Sequence, residues 1–215
     1  VPIETLEPHV PDPLEVETYD GSAWLGIVPF RMSGIRPRFV PPVSVLSSFP
    51  EVNIRTYVTD GDVSGVWFHS LDASSWLSVQ IARWTYSLNY YHASMTVRKN
   101  EQRVLYESHR SEQEPGRFDF EGWYEPSGSL QGEPTRLRTF LTERYYLFSR
   151  DDSGQVYRGR IGHRPWELRE VDYEVNELEV EGHPSPPDES PASALYSPEL
   201  SVRAWLPEPI DSTCG

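Results

Sequence analysis

The feature that most constrains this chain is a series of short runs rich in β-branched and aromatic residues, each bounded by turn-forming residues. Nine such runs stand at Ala23 to Phe30, Asn53 to Val58, Gly65 to Leu71, Ser78 to Tyr86, Ala93 to Val97, Val104 to Arg110, Phe118 to Tyr124, Thr139 to Phe148 and Gln155 to Ile161. Their composition suits a pleated, half-buried surface and predicts strands. Asp20-Gly21, Asp60-Gly61, Lys99-Asn100, Ser127-Gly128 and Asp151 to Gly154 lie between them, most at hairpin spacing. Successive hairpins predict antiparallel pairing, and many strands in one acidic chain need their edges hidden, which closure achieves. The expectation is a mainly β fold, a closed antiparallel barrel or wrapped sandwich with few short helices. One domain spanning residues 1–215 accounts for the 215 residues, since all-β units often reach that size.

Large side chains can close such a core. Seven Trp, 12 Tyr and 8 Phe make up 13% of the residues, and each aromatic ring buries a large area. Helical periodicity is confined to Ile3 to Leu14, where Pro8, Pro11 and Pro13 end it early. Glu170 to Ala194 turns acidic and then proline-rich, which predicts a surface loop, mobile over 182–194. Leu200 to Leu206 alternates again and can add a last strand.

A net charge of -14 repels phosphate backbones and anionic lipids, which argues against nucleic acid or membrane as partners. No apolar run of about 18 residues exists, and Val1 to Leu14 is acidic and proline-rich, unlike a signal peptide. Cys214, the single cysteine, leaves no internal disulfide framework, and a cytoplasmic location is the expectation. Lys99 is the only lysine beside 33 acidic residues. Adaptation to high salt and a GC-rich genome that encodes Arg in place of Lys both explain that bias.

Alternation in Phe49 to Val58 puts Glu51, Asn53, Arg55 and Tyr57 on one strand face, either solvated or turned inward toward a ligand. In Phe140 to Phe148 each face carries one ion, Glu143 or Arg144. An inward ion there needs an opposite charge such as Arg55, Arg83 or Glu51. His69 lies mid-strand, and Tyr90 and Tyr91 sit at a strand crossover, where packing competes with proton transfer as their role. Histidines at metal-ligand spacing are absent, as is a Gly-x-Ser-x-Gly elbow. No metal or cofactor is expected.

In order along the chain, YDGSAWLGIVPFRM, FPEVNIRTYV, GVWFHSLDA, ARWTYSLNYYHASM, LTERYYLF and HRPWEL resemble the uncharacterised YqjF-like family. The resemblance covers roughly Leu6 to Leu168 and, more weakly, Leu200 to Leu206. Family members usually begin with an extra strand ending in His-Trp, so the resemblance implies a strand preceding Val1. It further implies a fold like acetoacetate decarboxylase, in which a lysine of low pKa forms a Schiff base after the motif Arg-Glu-x-x-Gly-x-Pro-Lys. The corresponding stretch is Arg83 to Tyr90, where Arg83 is retained, Trp84, Ser87 and Asn89 replace Glu, Gly and Pro, and Tyr90 replaces the lysine. A phenol cannot form an imine, so the fold carries over without that chemistry.

Two functions follow as expectations. One is a pocket for a small organic acid, lined by Arg55, Tyr57, His69, Arg83, Tyr90 and Glu143, with Tyr90 or His69 transferring a proton. The other is a non-enzymatic interaction module with a filled interior, in which the same charges form internal ion pairs.

Overall fold

A computed structural model describes residues 1–33, 48–130, 132, 135–187 and 190–210. Two 3-10 turns, Ile3–Thr5 and Glu7–His9, open the chain. Six strands follow, β1 (Glu15–Val16), β2 (Thr18–Tyr19), β3 (Ser22–Ala23), β4 (Leu25–Ser33), β5 (Ser48–Thr59) and β6 (Ser64–Ala73), then helix α1 (Trp76–Tyr86). β7 (Tyr90–Asn100), β8 (Arg103–Arg110) and β9 (Phe118–Leu130) precede α2 (Arg136–Thr142). β10 (Tyr146–Arg150), β11 (Val156–His163), β12 (Arg169–Val180), β13 (Val202–Ala204) and β14 (Glu208–Pro209) complete the order.

The expected mainly β architecture is present, with its pairing more complex than hairpins predict. The main sheet runs β12-β9-β8-β7-β6-β10-β11-β13, and β5 joins it through β6 while also pairing β4 and β1. Among the described residues no sheet closes into a barrel. Nor is the pairing wholly antiparallel, because β6 pairs in parallel with β7 at Leu71–Ala73 and with β10 at Val66–Trp67. Parallel neighbours need a crossover, and α1 supplies it between β6 and β7.

That crossover corrects the strand expected at Ser78 to Tyr86. Ser75 caps α1 by accepting from the Ser78 amide, and Ser87 ends it in the left-handed region at φ 49. The run expected over Thr139 to Phe148 is likewise two elements, the end of α2 and β10, with Thr135 as the α2 cap. Ser127-Gly128 is no turn but part of β9, and the acidic stretch from Arg169 to Val180 is strand β12 pairing with it. The described residues of 182–194 carry no helix or strand, and the strand expected within Leu200 to Leu206 forms over Val202–Ala204. Cys214 lies outside the described residues.

Both faces of β5 are buried, which resolves the alternation read from its sequence. Val52 and Ile54 pack with Tyr106, Phe118 and Phe120 on one side, while Glu51, Asn53 and Tyr57 are equally shielded on the other. Along β5 and β6 the register passes from Ile54↔Ser70 to Arg55↔Phe68, leaving His69 as the extra residue of a β-bulge. On the opposite edge of β6 the parallel partners leave a gap between Trp67 and Leu71. Asn89 bridges it, its side chain donating to the Phe68 carbonyl at 3.2 Å and its own carbonyl accepting from the Leu71 amide at 3.0 Å.

Candidate functional site

Beside this gap lies a cavity of ≈ 250 Å³ lined by Pro8, His9, Val10, Pro11, Trp67, His69, Asn89, Arg150 and His183. Its residues come from the N-terminal 3-10 turns, β6, the crossover, β10 and the segment after β12. The bulge matters because it re-aims His69 relative to its strand neighbours. His69 is 4% exposed and its Nε2 is buried with no hydrogen-bond partner among the described residues. Burial, with smaller contributions from His9 and His183, pushes its pKa down to about 3, so the ring is neutral at physiological pH.

Behind the cavity is a buried ionic network. Arg110 donates from Nε to Asp72 Oδ1 at 2.7 Å and from NH2 to Asp72 Oδ2 at 2.8 Å, the bidentate geometry that suits a guanidinium to a carboxylate. Its NH2 also donates to Ser70 Oγ at 2.5 Å, and Ser70 donates to Asp72 Oδ2 at 2.5 Å. NH1 donates to the Pro115 carbonyl at 3.0 Å and meets His183 Nε2 at 3.1 Å. The guanidinium lies 4.0 Å from the centre of the Tyr91 ring, and burial followed by Arg110 pushes His183 down to about 4.

A second buried polar pair lies across β6. Tyr90 Oη donates to the Glu51 carboxyl, 3.2 and 3.3 Å from its two oxygens, and Tyr106 Oη donates to the Glu51 carbonyl at 2.9 Å. Burial raises Glu51 from 4.5 to about 8, with Asp72 adding to the shift and Tyr90 opposing it. Glu51 therefore holds its proton at neutral pH, and burial also raises Tyr90 well above the usual tyrosine value.

Of the six residues expected to line one pocket, His69 alone borders this cavity. Arg55 donates to the Leu141 carbonyl at 3.1 Å, and Tyr57 packs against Phe140 with ring centres 5.1 Å apart. Arg83 is held by the Tyr90 carbonyl at 2.7 Å and by Glu114 at 2.6 Å. Glu143 accepts from Tyr145 at an exposed position. The inward ion of that segment is Arg144, which pairs with Glu17 rather than with any anticipated partner. Asp72, Arg110 and His183 were not anticipated as site residues; they are 38 and 73 positions apart along the chain, beyond any local spacing rule. Among the described residues, Asp119, Glu177 and Glu179 form a carboxylate cluster. Arg117 pairs with Asp119 and Glu179, and His109 contacts Asp119 at 3.0 Å, so part of its charge is already met.

Comparison with solved structures defines the class of fold. An acetoacetate decarboxylase-like enzyme from Sphingomonas wittichii RW1 is similar at TM-score 0.54 and 15% identity, over 88% of this chain and 76% of that one. Acetoacetate decarboxylase from Legionella pneumophila is similar at TM-score 0.53 and 13% identity, over 96% and 76% of the two chains. The enduracididine biosynthesis enzyme MppR in complex with pyruvate gives TM-score 0.51 and 10% identity, over 95% and 79%. The fold is thus acetoacetate decarboxylase-like. Within that class the chain belongs to DUF2071, a family of uncharacterized conserved proteins, which matches residues 1–201. Uncharacterized protein YqjF of Bacillus subtilis (strain 168) is 34% identical over 207 residues, covering 95% of this chain and 84% of the relative. No helix among the described residues is long and apolar enough to cross a membrane.

Proposed function

We propose that this chain binds a small organic acid in the cavity between His69 and His183 and acts on it by proton transfer, not by imine formation. The observation that carries this reading is His69, buried at the cavity wall with Nε2 unpartnered among the described residues. An unpaired buried polar atom costs about 1–3 kcal/mol, a cost that a ligand's polar group can remove. Arg150 adds a guanidinium for a carboxylate, and Asn89 adds an amide. MppR, similar in fold, holds pyruvate, an acid small enough for a cavity of this volume. Imine chemistry has no amine at the position that the family resemblance assigns to the decarboxylase lysine, because Tyr90 stands there. Glu51, which holds a proton and accepts from Tyr90 at 3.2 Å, is a buried proton carrier beside that position.

A second reading, a non-catalytic module with internal ion pairs, is favoured by Arg83, whose head group is spent on Glu114 and a backbone carbonyl. Thermal-shift measurements with pyruvate, acetoacetate and lactate separate the two. Under the binding reading at least one acid raises Tm, by the equivalent of about 2.7 kcal/mol at one hundred times its Kd. His69→Ala and Arg150→Ala weaken that effect. No shift with any of the acids favours the second reading.

A further inference from the structure

A guanidinium has five N–H bonds and no acceptor, and Arg110 uses all five. One goes from Nε to Asp72, two from NH2 to Asp72 and Ser70, and two from NH1 to the Pro115 carbonyl and His183. The partner of the last bond is therefore fixed in its role. Arg110 can only donate, so His183 Nε2, 3.1 Å away, must accept. A neutral imidazole with one nitrogen accepting carries its proton on the other.

We infer that Arg110 is a positioning residue that holds His183 as a neutral ring protonated on Nδ1, so that His183 donates a hydrogen bond and the cavity selects a ligand with an acceptor oxygen there, the 2-oxo carbonyl of a 2-oxo acid. Several contacts hold the arrangement. Both Arg110 and Asp72 side chains are at most 1% exposed, so neither can swing to solvent. Tyr91 packs against Arg110 and also against His183, with ring centres 5.6 Å apart. Among the described residues no group accepts from His183 Nδ1, while the ring lines the cavity. Protonating Nε2 would set an N–H against the Arg110 N–H and break the tether. His183 is thus a fixed donor rather than a group that exchanges protons.

The ligand half of this inference rests on the small-acid reading; the tautomer half does not. Long-range ¹H–¹⁵N correlation spectra of the uniformly labelled protein without ligand report the tautomer directly. The expected spectrum has His183 Nδ1 protonated and Nε2 bare, and a proton on Nε2 overturns the inference. In Arg110→Lys, a compact ammonium cannot satisfy Asp72 and His183 with the same fork, so the spectrum is expected to move toward a mixture of tautomers. Retention of the pure Nδ1–H form there removes the positioning role. If Arg110→Lys does not fold, Ser70→Ala, which frees one donor of Arg110 but leaves its contact with His183, must keep the wild-type tautomer. Pyruvate against alanine tests selectivity, since the second places an ammonium where the first has a carbonyl. Stabilisation at least tenfold weaker in apparent Kd is expected for alanine. Equal binding overturns the ligand half, whereas silence of both acids with the expected tautomer strikes only the small-acid reading.

Discussion

Arg110 and Asp72 face each other through two parallel hydrogen bonds of 2.7 and 2.8 Å with both side chains shielded from water. Removing one member of a buried pair strands the other, at about 3–5 kcal/mol, whereas replacing both with apolar groups of similar volume is often neutral. Arg110→Met is therefore expected to lose about 3–5 kcal/mol in urea denaturation, and Arg110→Met with Asp72→Leu to recover part of that loss. An equal or greater loss in the double variant would show that the pair contributes more than its packing.

Glu51 gives the stability a pH dependence with a definite sign. Its folded value of about 8 lies above its usual 4.5, so the folded protein keeps a proton that the unfolded chain releases. The contribution is complete below pH 4.5 and is lost as pH rises to about 8, at up to about 1.4 kcal/mol per pH unit. Glu51→Gln keeps the shape and a hydrogen-bonding group without the titration. Its stability between pH 5 and 8 is expected to be flatter than that of the wild type by about that slope, measured by denaturant midpoints at each pH.

Much of this fold is legible in the sequence because strands announce themselves through alternation and β-branched content. Asn53 to Val58 and Phe118 to Tyr124 sit inside β5 and β9 as expected. What misleads is aromatic content on an exposed helix. Trp76 and Trp84 of α1 are 60% and 90% exposed, so the apolar run around them does not mark a buried strand. Ser75 and Ser78, a cap and the amide that it accepts from, are the local signal for that helix. Alternation puts Glu51 on the inward-capable face of its strand, but Asp72, Arg110 and His183 meet only through tertiary pairing. The β6 bulge that turns His69 toward the cavity depends on register, which alternation cannot report.

Arg83 tests the structural role of a residue that the decarboxylase-like motif retains. It ties the end of α1 to the start of β7 through the Tyr90 carbonyl, and its partner Glu114 also accepts from the His92 amide at 3.1 Å. With its side chain 34% exposed, part of that pairing is screened by water. Arg83→Ala is expected to cost about 1–2 kcal/mol in chemical denaturation, with the apparent Kd for any acid bound at His69 changed less than threefold. A large loss of binding with unchanged stability would move Arg83 from scaffold to site.

Schiff-base chemistry is the activity that the fold suggests and this chain's residues oppose. Lys99 is the sole lysine, paired with Val104 at the exposed end of the β7–β8 hairpin. Imine-forming lysines act instead from desolvated pockets or beside a second cation. Incubation with acetoacetate and cyanoborohydride is therefore expected to leave Lys99 unmodified by peptide mass mapping, and no carbon dioxide should evolve above the uncatalysed rate. A stoichiometric adduct on Lys99 would require that hairpin to reach a reacting centre, and would return the chain to the decarboxylase mechanism.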